Sequence, residues 1–78
     1  MLNQVNLIGT VIGKYQLTYL NINAIELLCD ETEIIVHLPK ELYDSLELDE
    51  ENIGIKGHLY NFKGNMYIYA DSILKIGA

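Results

Sequence analysis

Alternating apolar and polar residues run along most of the chain and predict a succession of short β-strands. Successive side chains of a strand point to opposite faces, so the alternation also predicts which residues face a core. We expect a first strand over residues 3–12, and a second that follows residues 14–20 and ends near residue 29. A tight turn at residues 30–31 leads into a third strand over residues 33–38.

The first and third strands each have one apolar face and one mixed face. In the first, Val5 and Leu7 share a face. Its opposite face carries Gln4, Asn6, Ile8 and Thr10. In the third, the inward set is Ile34, Val36 and Leu38, and the outward set is Glu33, Ile35 and His37. Glycines at positions 9 and 13 predict a bulge or sharp bend, whereas the blurred alternation of the second strand leaves its core face open.

A single helix is predicted between the third and fourth strands, over residues 39–46. Pro39 is placed at the first helical position, where its missing N–H costs nothing. Leu42 and Leu46 are four residues apart and would share one face. The acidic residues 49–51 then end the connector as a solvated loop.

The last third of the chain predicts two strands joined by residues 61–65. The expected core face contains Ile53, Ile55, Gly57 and Leu59 from one strand, and Met66, Ile68, Ala70 and Ser72 from the other. The opposite face carries Lys56, His58, Tyr60, Tyr67 and Tyr69, with Phe62 and Lys63 at the hairpin tip. Flat rings mixed with cations are typical of a surface that stacks bases and meets a phosphate chain.

The order strand, strand, strand, helix, strand, strand predicts an all-β fold, a five-stranded OB-fold barrel formed as a single domain by residues 1–78. Closing the sheet removes its exposed edges. An Sm-like barrel is the nearest alternative, but in that fold a helix usually precedes the first strand.

Composition limits the functional classes. A chain of 78 residues buries only about 60% of its unfolded surface, and half of its residues are apolar, which favours association with another copy. Cys29 is the only cysteine, so a zinc cluster and a redox pair are excluded. Neither a signal peptide nor an apolar stretch of about 20 residues is apparent, and we expect a cytoplasmic protein.

The net charge of −6 is unevenly distributed. Ten of the eleven acidic residues lie in positions 26–51, where Lys40 is the single basic residue. The last 27 residues carry Lys56, Lys63 and Lys75 against Asp71. The tyrosine-bearing hairpin is therefore mildly basic, and we expect any nucleic-acid affinity to be modest and sensitive to salt.

Four segments, in order, resemble the bacterial single-stranded DNA-binding (SSB) protein family. They are MLNQVNLIG at residues 1–9, QLTY at 16–19, IKGHL at 55–59 and YIYADSI at 67–73. The resemblance implies an OB-fold, single-stranded DNA as partner with RNA as the alternative, and a role in DNA replication or recombination. It makes Tyr19 a possible DNA contact. Because that family pairs subunits through first strands, it also implies a dimer or tetramer contact at Gln4, Asn6 and Ile8.

The chain also departs from the SSB pattern. It has no tryptophan, and its middle strands carry Glu26, Glu33, Ile35 and His37 where the family places base-stacking rings. It shows no acidic, phenylalanine-tipped tail for recruiting replication or recombination proteins. A minimal relative encoded by a phage or mobile element would have these features.

The sequence therefore predicts a DNA-binding protein, not an enzyme, with no cofactor and no metal site. The predicted DNA-binding residues are Tyr19, Lys56, His58, Tyr60, Phe62, Lys63, Tyr67 and Tyr69. His37 is expected to be an ordinary surface residue. The alternative function is an OB-fold protein-interaction module, or an acidic mimic of nucleic acid, that binds a DNA-processing enzyme.

Overall fold

The computed structural model describes residues 3–49 and 52–76. Within them the chain forms five strands, one short helix and a 3-10 turn. The elements are β1 (Gln4–Leu17), the 3-10 turn (Thr18–Leu20), β2 (Ile22–Cys29), β3 (Thr32–His37), α1 (Lys40–Asp44), β4 (Ile53–Phe62) and β5 (Asn65–Lys75). The strands close into a barrel in the order β1-β2-β3-β5-β4. The predicted five-stranded OB-fold with a helix between β3 and β4 is confirmed.

The first strand is long enough to pair with its two neighbours over separate segments. Residues 4–9 pair with β4, and residues 10–17 pair with β2, all antiparallel. A register shift between Val11 and Gly13 bends the strand from one neighbour toward the other. Two parallel pairs, Val36 with Ile68 and His37 with Tyr69, close the barrel between β3 and β5.

The barrel interior is aliphatic. The largest fully buried side chains are Ile25, Leu27, Leu46, Ile53, Val11 and Val36. Ile25 and Leu27 settle the core face of β2, which the sequence had left open. The predicted inward side of β3 is also confirmed, with Val36 and Leu38 buried and Ile34 half-buried.

The first connector and the helix differ from their predictions. The first strand continues to Leu17 instead of ending near residue 12, because the bend at residues 11–13 lets it continue along β2. Pro39 precedes the helix with extended backbone angles, φ −68° and ψ 156°, and is not its first residue. The helix ends at Asp44, so Leu46 reaches the core from just beyond it.

The predicted core face of the hairpin is wrong at three positions. Lys56 pairs with Ser72 and Gly57 with Ala70, so Asp71 is an extra residue that forms a bulge. Beyond the bulge Ile73, rather than Ser72, packs against the core. Leu59 and Met66 are exposed, the latter to 60%, because this end of the hairpin extends past the strands that pair with it.

The hairpin turn is shorter than the predicted five residues. Phe62 pairs with Asn65, which leaves Lys63 and Gly64 as a two-residue turn. Both have positive φ, 52° and 85° respectively, as the type I′ turn of a twisted hairpin requires. Phe62 therefore belongs to β4, and Lys63 and Gly64 form the tip.

Candidate nucleic-acid interface

Five rings form a cluster on the outer surface of the barrel, which we call the ring face. Its members are His37, Tyr60, Phe62, Tyr67 and Tyr69. The parallel pair of His37 with Tyr69, and the antiparallel pair of Tyr60 with Tyr67, bring β3, β4 and β5 together here. The four hairpin rings are half-buried against one another and partly open to solvent.

His37 lies at the centre of the ring face and is only 7% exposed. Its imidazole stacks on Tyr67, with centroids 4.4 Å apart and planes 21° apart. The edges of Tyr60 and Phe62 approach it at centroid distances of 5.5 and 5.8 Å. The expectation that His37 is an ordinary surface residue is therefore wrong. It points outward as predicted, but the hairpin rings cover it.

A hydrogen bond between the Tyr60 hydroxyl and Nδ1 of His37 joins β4 to β3. Burial lowers the pKa of His37, which favours its neutral form. Burial also raises the pKa of Tyr60, and the hydroxyls of Tyr69 and Tyr67 raise it further. A protonated phenol can donate to the Nδ1 of a neutral imidazole, so the two shifts favour the same bond.

Two grooves border the ring face. The polar groove has a volume of about 410 Å³, and Asn21, Asn23, Lys40, Tyr60 and Tyr69 are among its lining residues. The apolar groove has a volume of about 350 Å³ and runs between Leu17, Ile22 and Ile35 on one side and Phe62 and Tyr67 on the other. Both touch Leu20, next to Tyr19, which is 81% exposed. The β1–β2 connector and the β4–β5 hairpin thus flank one continuous surface.

The basic residues divide into two groups. Lys14 and Lys75 donate to the carbonyl oxygens of Leu46 and Ser45, each at 2.7 Å, beside the end of α1. Lys40, Lys56 and Lys63 are exposed. Lys40 lines the polar groove while paired with Asp44 at 2.6 Å, and Lys63 stands at the hairpin tip with Nζ 5.7 Å from the Phe62 ring centroid.

Two carboxylates lie beside the ring face on β2 and β3. Glu26 pairs with Ile35 across the strands, which places Glu33 diagonally opposite it. A hydrogen bond with Glu26, together with its charge, raises the pKa of Glu33. The Tyr15 hydroxyl donates to Glu26 at 3.0 Å. This corner repels phosphate and marks one side of the surface as unfavourable for a nucleic-acid backbone.

The structure brings together only some of the predicted DNA-binding residues. Tyr60, Phe62, Tyr67 and Tyr69 form the ring face, with Tyr19 and Lys63 at its two flanks. His58 is tilted against Tyr69 and bonds Asp71 at 2.9 Å, so it adjoins the cluster. Lys56 lies four positions from Tyr60 along β4, about 13 Å at the usual rise per strand residue, outside the cluster.

Sequence reasoning missed three residues of this surface. The sequence did not point to His37 because its ring contacts come from β4 and β5, 23 to 30 residues further along the chain. Lys40 belongs to this surface because it lines the polar groove. Tyr15 lines the apolar groove because β1 continues past the predicted end of the strand. The outward position of His37 on a strand was the one available signal.

The outward residues of β1 lie on another part of the barrel. Gln4, Asn6 and Ile8 are all exposed and face outward beside β4. Among the described residues, the edge of residues 4–9 that faces away from β4 pairs with no other strand. This open edge is compatible with the predicted contact between copies.

Residues 3–49 and 52–76 contain neither a metal-ligand cluster nor a membrane-spanning helix. No group of three or more metal-ligating side chains is found there. No helix in the same ranges is long and apolar enough to cross a membrane.

The closed barrel, with the helix after β3 and a ring cluster on its outer surface, has the architecture of an OB-fold. Its structural neighbours include bacterial SSB proteins. The second single-stranded DNA-binding protein (SSBb) from Mycobacterium smegmatis matches with a TM-score of 0.67 and 14% identity, over 95% of this chain and 86% of that chain. A small single-stranded DNA-binding protein from Mycoplasma pneumoniae matches with a TM-score of 0.64 and 15% identity, over 95% and 93%.

No protein-family model matches the sequence, and no curated protein matches it. At 14–15% identity the structural likeness establishes the fold. The chain therefore has an SSB-like OB-fold, as its sequence predicts.

Proposed function

We propose that this protein binds single-stranded DNA across the ring face, by stacking bases on its rings and by contacts to the phosphate chain. The observation that carries the proposal is the outward, partly open ring cluster between two grooves. In OB-folds this position, flanked by the β1–β2 and β4–β5 loops, is where oligonucleotides bind. The two structural neighbours named above are single-stranded DNA-binding proteins.

The described residues suit binding without strong sequence preference. Stacking on an aromatic ring is worth about 1–3 kcal/mol per base and tolerates any base. Lys63 at the tip, Lys40 in the polar groove and Lys56 further along β4 can meet phosphates. The net charge of −6 opposes them, so the affinity is expected in the micromolar range and falls with salt.

The test is fluorescence anisotropy with a labelled oligo-dT of about 30 nucleotides at low salt, a length beyond the usual OB-fold site of about 4–16. Saturable binding supports the proposal, and no binding at tens of micromolar protein ends it. Lys63→Ala should make the salt dependence less steep, because one phosphate contact is lost. Glu47→Gln, an exposed change outside both grooves, serves as the control with the opposite charge change.

We extend the proposal to a homo-oligomeric, cytoplasmic protein of DNA replication or recombination. Support for self-association comes from exposed Gln4, Asn6 and Ile8 beside an unpaired strand edge. Ile8→Lys would place a charge on that surface while leaving the barrel interior unchanged. Light scattering after size-exclusion chromatography should report a dimer or tetramer for the parent and a smaller species for the variant. A monomeric parent contradicts this part of the proposal.

A second function, protein interaction, is favoured by one observation. Parallel pairing between β3 and β5 covers two residue pairs, and beyond it a groove of about 400 Å³ opens. Its lining includes exposed Ile35, Leu59 and Met66. Co-purification of one stoichiometric partner, without an oligonucleotide shift, favours this function over DNA binding.

A further inference from the structure

The apolar groove has two chemically different walls. One wall is aliphatic and comes from Leu17, Ile22 and Ile35, while the other is formed by the rings of Phe62 and Tyr67. Leu17 pairs with Ile22 across β1 and β2, so the two share one face of the sheet, and the 45% exposure of Leu17 shows that this face is the outer one. The volume of about 350 Å³ falls within the range of small-ligand sites, about 300–1,000 Å³. One flat group can therefore be enclosed between the walls.

Two polar groups that line the groove already have partners, and the Tyr67 hydroxyl is the one phenol group left for a base edge. The hydroxyl of Tyr15 already donates to Glu26, and Nδ1 of His37 already bonds the Tyr60 hydroxyl. A base that enters gains mainly by burying apolar atoms. Among the four DNA bases, thymine alone carries an apolar substituent, its C5 methyl group.

The surrounding charges favour entry of a base rather than of the backbone. Glu26 lies directly across from Ile35, with Glu33 diagonal to it, so carboxylates border the aliphatic wall. Lys40 lies at the polar groove, and Lys63 lies at the hairpin tip over the Phe62 ring that both grooves share, on the side opposite the carboxylates. Phosphates would therefore lie toward the lysines and away from the carboxylates. Because the groove shares Phe62 with the polar groove, a strand on the ring face can turn one base into it.

We propose that the apolar groove is a subsite for a 5-methyl pyrimidine, so that the protein prefers thymine over uracil. The inference rests on the proposed binding of single-stranded DNA and adds a base preference to it. Burying one methyl group strengthens binding about fourfold. An oligo-dT is therefore expected to bind about fourfold more tightly than an oligo-dU of equal length for each base that occupies the groove.

The experiment compares oligo-dT with oligo-dU, which share deoxyribose and charge and differ only in the methyl group. Ile35→Thr places a hydroxyl on the aliphatic wall and keeps a β-branched strand residue, so it should bring the dT-to-dU ratio close to one. Ile35→Val keeps the wall apolar and should retain the ratio. Leu74→Thr is the matched control, because Leu74 is an exposed strand residue that does not line the groove.

The outcomes separate this inference from the proposal beneath it. Equal binding of oligo-dT and oligo-dU by the parent overturns the subsite and leaves DNA binding intact. A preference that survives Ile35→Thr also overturns it, because the methyl group would then be recognised elsewhere. Failure of both oligonucleotides to bind overturns both. A ratio lost in Ile35→Thr, but kept in Ile35→Val and Leu74→Thr, supports the subsite.

Discussion

Tyr67 is the ring whose removal tests the proposed interface most informatively. Its ring stacks on the His37 ring with centroids 4.4 Å apart and meets the Phe62 ring edge-on with centroids 6.4 Å apart. It also lines the apolar groove. Tyr67→Ala removes one stacking platform, worth about 1–3 kcal/mol per base, and should weaken DNA binding about 5- to 150-fold. Tyr67→Phe keeps the ring and should bind within about twofold of the parent, since no hydrogen bond of its hydroxyl contributes to the proposed site.

The change also has a structural cost that can be measured separately. An aromatic pair contributes about 0.5–1.5 kcal/mol beyond its buried area, and Tyr67 packs outside the aliphatic core, so the barrel should remain folded. Thermal unfolding followed by circular dichroism reports the stability, and anisotropy with oligo-dT reports binding. If folded Tyr67→Ala binds as tightly as the parent, bases do not stack on this ring and the proposed interface is wrong.

Three further predictions concern the surroundings of the ring face. Because the pKa of His37 is lowered in the folded protein, protonation of this ring favours unfolding. Denaturant titrations should therefore show the free energy of unfolding falling as the pH drops below about 6.5, the pKa of histidine in an unfolded chain. If the parent loses no more stability between pH 7.5 and 5 than His37→Gln does, the burial argument is contradicted. The Glu26→Gln and Glu33→Gln double variant should bind oligo-dT about fivefold more tightly at low salt, because it removes two negative charges that lie within one Debye length of the proposed site. Unchanged anisotropy titrations would show that the DNA backbone lies far from these two carboxylates. Gly57→Ala should lower the free energy of unfolding by about 1–3 kcal/mol, because a Cβ there would overlap the Tyr69 carbonyl oxygen; an unchanged unfolding temperature would show that the close approach of β4 and β5 is not required.

Local patterns in the sequence predicted the architecture because every strand except β2 has a clear alternation of its own. The inward residues of β3 and the order of the elements followed directly from it. The alternation did not predict that β1 continues through its bend at residues 11–13. The shift between Val11 and Gly13 lets one strand serve two neighbours, and glycine spacing alone does not distinguish a bend within a strand from its end.

The errors in the hairpin have a single physical origin, since alternation is a property of one strand and burial depends on its neighbours. The bulge at Asp71 shifts the alternation by one residue, so that Ile73 rather than Ser72 faces the core. Leu59 and Met66 keep the predicted alternation but lie where β3 no longer covers them. A bulge or a missing neighbour leaves no mark in an isolated run of alternating residues.

The candidate site was only half predictable for a similar reason. The tyrosines and Phe62 lie close together in sequence, so their shared face followed from the hairpin. His37 joins them through the parallel pairing of β3 with β5, a contact between segments about 30 residues apart. Predicting that contact requires the register between β3 and β5 in the closed barrel, and no local sequence pattern indicates this register.

The most direct test of the account is an NMR titration of the ¹⁵N-labelled protein with oligo-dT, followed through its backbone amide resonances. Binding across the ring face predicts that the largest shifts occur at His37, Phe62 and Tyr67, and that the amides of Ile8 and Leu74 move little. Shifts concentrated on the outer side of β1 or on α1, with the ring face unchanged, would contradict the central claim.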